Sequence, residues 1–268
     1  MANPVASVHG RSYFSGLIDH EQRAALTDAS GPRRFSNRTL VALASVLLLL
    51  ALATALLASA DQKKPSVFVN DKGKFKVLLN DKVIGHEEFE ITSSGATWIA
   101  KATTHIAVEG APATTVTGNL SLQPDGAPIS YDWATQADKN SGAHIAFTNG
   151  VAKMTIHLGT AHPFEQDLTF TSPMIVVLDD NLYYQYAVLA RVYDWNRRGT
   201  QSFSVLVPQE LLPGTITVDG AGAVTAEGKS YEGLKVTTND LEVILYLDPN
   251  HRLQRIEVPS SKAAIIRE

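Results

Sequence analysis

The residues that could do chemistry in this 268-residue chain fall into three sets. His157 and His162 lie five apart, with Glu165 and Asp167 close behind (HLGTAHPFEQD). Imidazole and carboxylate together suit a first-row metal ion. The spacing matches no zinc motif, however, and the alternation puts His157 on the polar side of a strand while His162-Pro163 opens a connection. Solvated surface histidines, and no metal, is the expectation. The acidic pairs Glu87-Glu88 and Asp179-Asp180 offer the residue types of sugar hydrolysis. Neighbours on a strand point to opposite faces, so Glu87 and Glu88 cannot form one site. His86 beside them reads as the exposed side of that strand, and Asp179-Asp180 reads as a helix cap. No Gly-x-Ser-x-Gly elbow, phosphate-binding glycine loop or His-Glu-x-x-His pair occurs. Cysteine is absent, which excludes disulfides, thiolate metal sites and a cysteine nucleophile. No catalytic residue and no cofactor are assigned.

The third set is aromatic. Tyr183, Tyr184, Tyr186, Tyr193 and Trp195 cluster on or just after one apolar segment, and Trp98, Tyr131 and Trp133 fall on inward strand positions. Core packing is the ordinary role of such residues. The alternative is a concave pocket for an acyl chain or another apolar ligand, walled by Tyr183, Tyr186, Leu189, Tyr193, Trp195, Trp98 and Trp133. Arg191, with Arg197 and Arg198, would then face an anionic head group; otherwise Arg197-Arg198-Gly199 is a solvated turn.

These residues need a scaffold, and its pattern is β. Between residues 74 and 260, runs of Val, Ile, Thr, Tyr and Phe alternate with polar residues and are separated by Gly, Pro, Asn and Asp. Phe75, Val77 and Leu79 share one face, as do Val83, Phe89 and Ile91, and then Trp98, Ala100, Ala102, Thr104 and Ile106. One hairpin has a register that can be read directly. Asn149-Gly150 is the preferred pair for a type I′ turn, which would set Phe147 opposite Ala152, Ile145 opposite Met154 and Ala143 opposite Ile156. A slip of one residue would break that apolar match. Between Asp179 and Tyr193 the period changes: Leu182, Tyr186, Leu189, Ala190 and Tyr193 recur at helical spacing. Only Arg191 is charged from Asn181 to Tyr193, so the helix must be covered on most sides. Asp248-Pro249-Asn250 predicts a β-turn before a last strand at Ile256 and Val258. Eleven or twelve strands with one helix exclude a parallel α/β fold. The fold class expected is mainly β: a curved antiparallel sheet or half-barrel with one apolar helix on its concave face. A closed barrel or a sandwich is the competitor.

Ahead of this domain stands an uncharged stretch, residues 39–60 (TLVALASVLLLLALATALLASA). As a helix rising ~1.5 Å per residue it would reach about 31 Å, close to a bilayer's hydrocarbon thickness. Arg33, Arg34 and Arg38 precede it, against Lys63 and Lys64 behind, which places the N-terminus in the cytoplasm and residues 61–268 outside. Ala58-Ser59-Ala60 would serve a signal peptidase, but the 38-residue leader and long apolar run favour a retained anchor. The organisation expected is a cytoplasmic tail 1–38, a transmembrane helix 39–60, a linker 61–73, a β-domain 74–260 and a C-terminal tail 261–268. The chain's formal net charge is −4, so nucleic acid is a poor partner.

The segments FKVLLNDKVIGHEEFEI, DDNLYYQYAVLARVYDW, FSVLVP and LYLDPNHRLQRIEVP are similar to those of several uncharacterised bacterial envelope families. The resemblance implies a half-barrel similar in shape to the periplasmic lipoprotein carriers, and it brings no catalytic signature. Two functions remain open: binding of a hydrophobic or lipid-like envelope component, or an assembly module that contacts partner proteins through its sheet edges. An extracytoplasmic hydrolase comes third.

Overall fold

The computed structural model describes residues 65–137, 140–238 and 241–268. The cytoplasmic tail 1–38 and the membrane segment 39–60 expected from the sequence lie outside the described residues. Among those described, no helix is long and apolar enough to cross a membrane.

The strands are β1 (Asp71–Leu79), β2 (Lys82–Ser94), β3 (Thr97–Ile106), β4 (Thr114–Leu122), β5 (Pro128–Gln136), β6 (Ser141–Thr148), β7 (Val151–Leu158), β8 (Phe164–Thr169) and β9 (Ile175–Val177). Helix α1 (Tyr184–Val192) follows. Then come β10 (Gln201–Val207), β11 (Leu212–Ala226), β12 (Lys229–Thr237), β13 (Glu242–Leu247), β14 (Leu253–Val258) and β15 (Ala263–Arg267). All fifteen belong to one sheet, ordered β8 to β1, then β15 down to β9. Every pairing is antiparallel except β9 with β10. The fold is therefore the mainly β, open curved sheet with one helix that the alternation predicts. It exceeds the expected strand count because β8, β9 and β15 are short and carry too little alternation to be read as strands.

The β6–β7 hairpin has the predicted register, Thr148 opposite Val151 through Ala143 opposite Ile156. Asn149 and Gly150 take φ of 50° and 78°, the left-handed pair that a type I′ turn requires. Asp248 accepts from His251 N–H at 2.8 Å, closing the predicted turn around Pro249.

Three expectations need correction. Val83 does not join Phe89 and Ile91 inside. The β1–β2 register shifts between Val77 and Leu78, so Ile84 is an extra residue that turns inward while Val83 is 51% exposed. The linker ends early, since Phe68 is buried against Trp98 and β1 begins at Asp71. Residues 261–268 are no tail. As β15 they pair with β1 on one side and β14 on the other, burying Ile265.

The sheet curls because its two ends are tied. Only residues 170–174 separate β8, at one edge, from β9, at the other. β9 lies against β5, and the Tyr131 hydroxyl of β5 donates to Asp179 just beyond β9 at 2.9 Å. The inner face holds one continuous core that includes Phe75, Ile91, Leu120, Ile145, Leu234 and Leu253. Helix α1 crosses this face against β3 and β14, with Tyr184, Gln185, Ala187, Val188, Leu189 and Ala190 buried.

Candidate functional site

The two ends of α1 gather the polar groups that the inner face contains. At the N-terminal end the organising residue is Glu87 of β2, 0% exposed. Its carboxyl accepts from the backbone N–H groups of Tyr183 and Tyr184, each at 2.7 Å, and from the Thr104 hydroxyl at 2.9 Å. The first N–H groups of any helix lack partners within it, and the field there favours negative charge. A carboxyl delivered from a strand satisfies two of them. Burial nonetheless pushes the Glu87 carboxyl up to about 8, against the pull of these three hydrogen bonds.

Asp179 therefore does not cap the helix in the way the sequence suggests. It is drawn into the buried polar cluster beside the same helix end, accepting from Tyr131 Oη at 2.9 Å, Gln209 N–H at 2.9 Å and Asp180 N–H at 3.2 Å. Its own N–H donates to Gln185 Oε1 of α1. Burial raises the Asp179 carboxyl to about 6, and the Tyr131 and Tyr184 hydroxyls stand well above their ordinary range for the same reason. Gly118 of β4 makes room for this arrangement. A Cβ there would lie 2.9 Å from both Leu182 Cδ1 and Tyr184 Oη, and 3.2 Å from Tyr131 Oη.

The C-terminal end is built differently. Trp195 Nε1 donates to Ala190 O at 2.9 Å, and Tyr193 Oη donates to Gly199 O at 2.8 Å. The Trp195 ring stacks on His251 with centroids 3.8 Å apart and planes 7° from parallel. His251 Nε2 is 3.2 Å from Glu232 Oε2, and Arg191 donates to Asn250 O at 2.9 Å. An open depression of about 430 Å³ lies beside this cluster, lined by Arg198, Glu232, Leu247 and Pro249 among others.

Of the candidate ligand residues, the structure brings Arg191, Tyr193 and Trp195 together at this rim. Leu189 and Tyr193 are buried by the protein itself, at 0% and 2% exposure. Tyr183 and Tyr186 are half-buried against the core. Trp98 stands apart, packed on Phe68 with ring centroids at 5.6 Å. Trp133 is buried in β5 with its indole N–H unbonded. Three further open depressions, the largest about 870 Å³ on the outer face between Lys74, Glu88, Lys101 and Asn119, are not lined by α1 either.

Glu87 and Glu88 do point to opposite faces, Glu88 pairing outside with Lys74. What the sequence reading missed is that Glu87 is the inner one. The alternation that sends Phe89 and Ile91 inward sends Glu87 inward as well, and Thr104 follows Ala100 and Ala102. Among the described residues no three His, Asp or Glu side chains converge as metal ligands. His144 sits instead on Asp132 of the outer face at 2.7 Å.

No family model matches the chain, and no curated protein sequence matches it. Among solved structures, it is similar to a β-barrel-like protein of the domain of unknown function DUF1849 from Brucella abortus. The TM-score is 0.50 at 11% identity, covering 75% of this chain and 95% of that one. A DUF1089-family protein from Pseudomonas aeruginosa gives a TM-score of 0.42 at 8% identity, covering 65% of this chain and 90% of that one. The first likeness is one of fold: a β-barrel-like domain.

Proposed function

We propose that the protein is a membrane-anchored, extracytoplasmic β-barrel-like module that works by contacting partner proteins, without catalysing a reaction. One observation carries the choice of partner over ligand. The concave face, where an apolar ligand would sit, is occupied by the protein's own helix: Leu182, Tyr184, Leu189 and Tyr193 are each at most 2% exposed. A lipid-like guest would have to displace α1, breaking the two backbone hydrogen bonds to Glu87 and exposing its apolar face. The anchor rests on the uncharged stretch 39–60 and the arginines before it. The envelope location rests on that anchor and on the sequence resemblance to envelope families.

Two measurements on the full chain test this reading. Membranes from expressing cells are washed with alkaline carbonate and then treated with protease from the outside. The expected result is a chain retained by the membrane and digested from its C-terminal side; release into the wash overturns the anchor. Native mass spectrometry of the detergent-solubilised chain is expected to give the mass of the polypeptide alone. A stoichiometric apolar molecule, recovered by solvent extraction, would overturn the partner-protein reading in favour of a ligand carrier.

A further inference from the structure

The two edges of the sheet are not equivalent. At one, all three residues of β9 are buried and the strand leans on β5. At the other, β8 has no buried residue and, among the described residues, pairs only with β7. Which of its backbone groups are free follows from the ladder. Phe170 N–H donates to Gly150 O, and Thr169 stands opposite Val151. Hydrogen-bonded residues alternate along an antiparallel strand, so Phe164, Gln166 and Leu168 turn their N–H and C=O groups to β7. Those of Glu165, Asp167 and Thr169 therefore point to the open side.

The side chains at this edge are also sorted. Phe164, Gln166 and Leu168 stand opposite Ile156, Met154 and Ala152, on the inner face. Phe164 is 39% exposed and Leu168 only half-buried, because the row of inward apolar residues stops there. Glu165 and Asp167 share the outer face, and Asp167 has Lys153 at 3.8 Å on the β7 side. Among the described residues Glu165 has no ion pair.

We propose that the free edge of β8 is a strand-addition site for an extended segment of another protein in which basic and apolar residues alternate. This deepens the reading above and rests on it. An added strand takes up the backbone groups of Glu165, Asp167 and Thr169. Its inward residues cover Phe164 and Leu168, while its outward lysines or arginines lie beside Glu165 and Asp167. A second copy of the chain is the wrong occupant. Antiparallel β8–β8 pairing with faces matched about Gln166 sets Glu165 opposite Asp167 twice, and like charges directly opposite destabilise a ladder.

The test uses the full chain in detergent micelles and a fluorescein-labelled peptide of four Lys-Val repeats, read by anisotropy. Binding is expected. The double substitution Glu165→Lys with Asp167→Lys should weaken it about tenfold or more, and a Glu-Val peptide should regain affinity for that variant. Thr169→Pro removes one outward N–H without changing charge or breaking the β7 ladder, and should weaken the Lys-Val peptide about fivefold. Equal binding of a Lys-Ser peptide, no effect of Thr169→Pro, or no binding at all would each overturn the proposal. So would concentration-dependent dimerisation that the double substitution alters, because the edge would then belong to a second copy. Peptide failure with a ligand-free native mass overturns the strand-addition site alone. A bound apolar molecule overturns the partner-protein reading itself.

Discussion

The two ends of α1 are held by different kinds of contact. The C-terminal end is tied to its own neighbourhood. Trp195 reaches back to Ala190, Tyr193 reaches Gly199, and Gln201 bonds both the N–H and the carbonyl of Asp194, each at 2.9 Å. The stack on His251 and the Arg191 bond to Asn250 join that end to the turn before β14. The N-terminal end has local bonds too, Asp179 N–H to Gln185 and Tyr183 Oη to Asn181, but its buried carboxyl contacts come from remote strands. Glu87 precedes Tyr183 by 96 residues, and Tyr131 precedes Asp179 by 48. One end can organise as soon as its segment turns helical; the other exists only after β2 through β5 have formed their sheet. The buried, remote contacts should therefore carry the stability, and the exposed, local ones should tune it.

Removing the remote contact altogether gives the largest expected effect. Glu87→Ala leaves two helix N–H groups and the Thr104 hydroxyl buried without an acceptor, at a cost of about 3–5 kcal/mol in urea unfolding. Glu87→Gln keeps one acceptor oxygen and should cost about 1–2 kcal/mol. Similar losses for Glu87→Ala and for Trp195→Ala would erase the contrast between the ends.

The same residue sets a pH dependence. The folded-state value of Glu87, about 8, lies above its ordinary 4.5, so the folded protein holds that proton more tightly than the unfolded chain does. Its contribution to stability is fully present below about pH 4.5 and is lost as pH rises through about 8. Asp179 acts with the same sign between its ordinary 3.8 and about 6. The unfolding midpoint should fall from pH 5 to pH 8, and Glu87→Gln should flatten the upper part of that slope. A slope unchanged in Glu87→Gln would remove Glu87 as its source.

Gly118→Ala comes next, at about 1–3 kcal/mol, because its new Cβ meets Leu182 and Tyr184 in a filled core. The smallest effect is expected at the rim, where His251→Ala removes one aromatic stack worth about 0.5–1.5 kcal/mol. Hydrogen exchange would sharpen the comparison further. Tyr184 N–H should exchange only through global unfolding, whereas the amides of 193–199 should exchange through local opening.

How much of this was legible in the sequence follows from the same distinction between local and remote. The β6–β7 hairpin could be read to the residue because its turn and its apolar pairs lie within fourteen positions of one another. The apolar helix was legible from its period, although its ordered turns begin at Tyr184 rather than near Asp180. The cap was misread because Asp179 and Asp180 satisfy the local rule, while the actual partner comes from another strand. The Val83 face was misread because a bulge at Ile84 breaks the strand's parity, and the Gly85 that follows it also fits an unbroken strand. Strand β15 was missed because five residues, AAIIR, carry too little pattern to be told from a tail. The neighbours of Arg191, Tyr193 and Trp195 were not legible, because His251 arrives from the β13–β14 turn and Glu232 from β12.

The seam at the middle of the sheet bears on the order of events in folding. β1 and β15 lie side by side, and the Asp71–Arg267 ion pair of 2.6 Å joins positions 196 residues apart. On either side of that seam the strands follow one another as neighbours, so each flank can assemble by short steps. The join between them must wait for the slowest kind of encounter, the closure of a loop nearly as long as the domain. Until it closes, β1 and β15 are two more unpaired edges in the centre of what will become the core. The domain's window of vulnerability to aggregation is then set by the lifetime of that open seam, and Arg267, half-buried against Asp71 and lying over the Phe89 ring, is the latch that ends it.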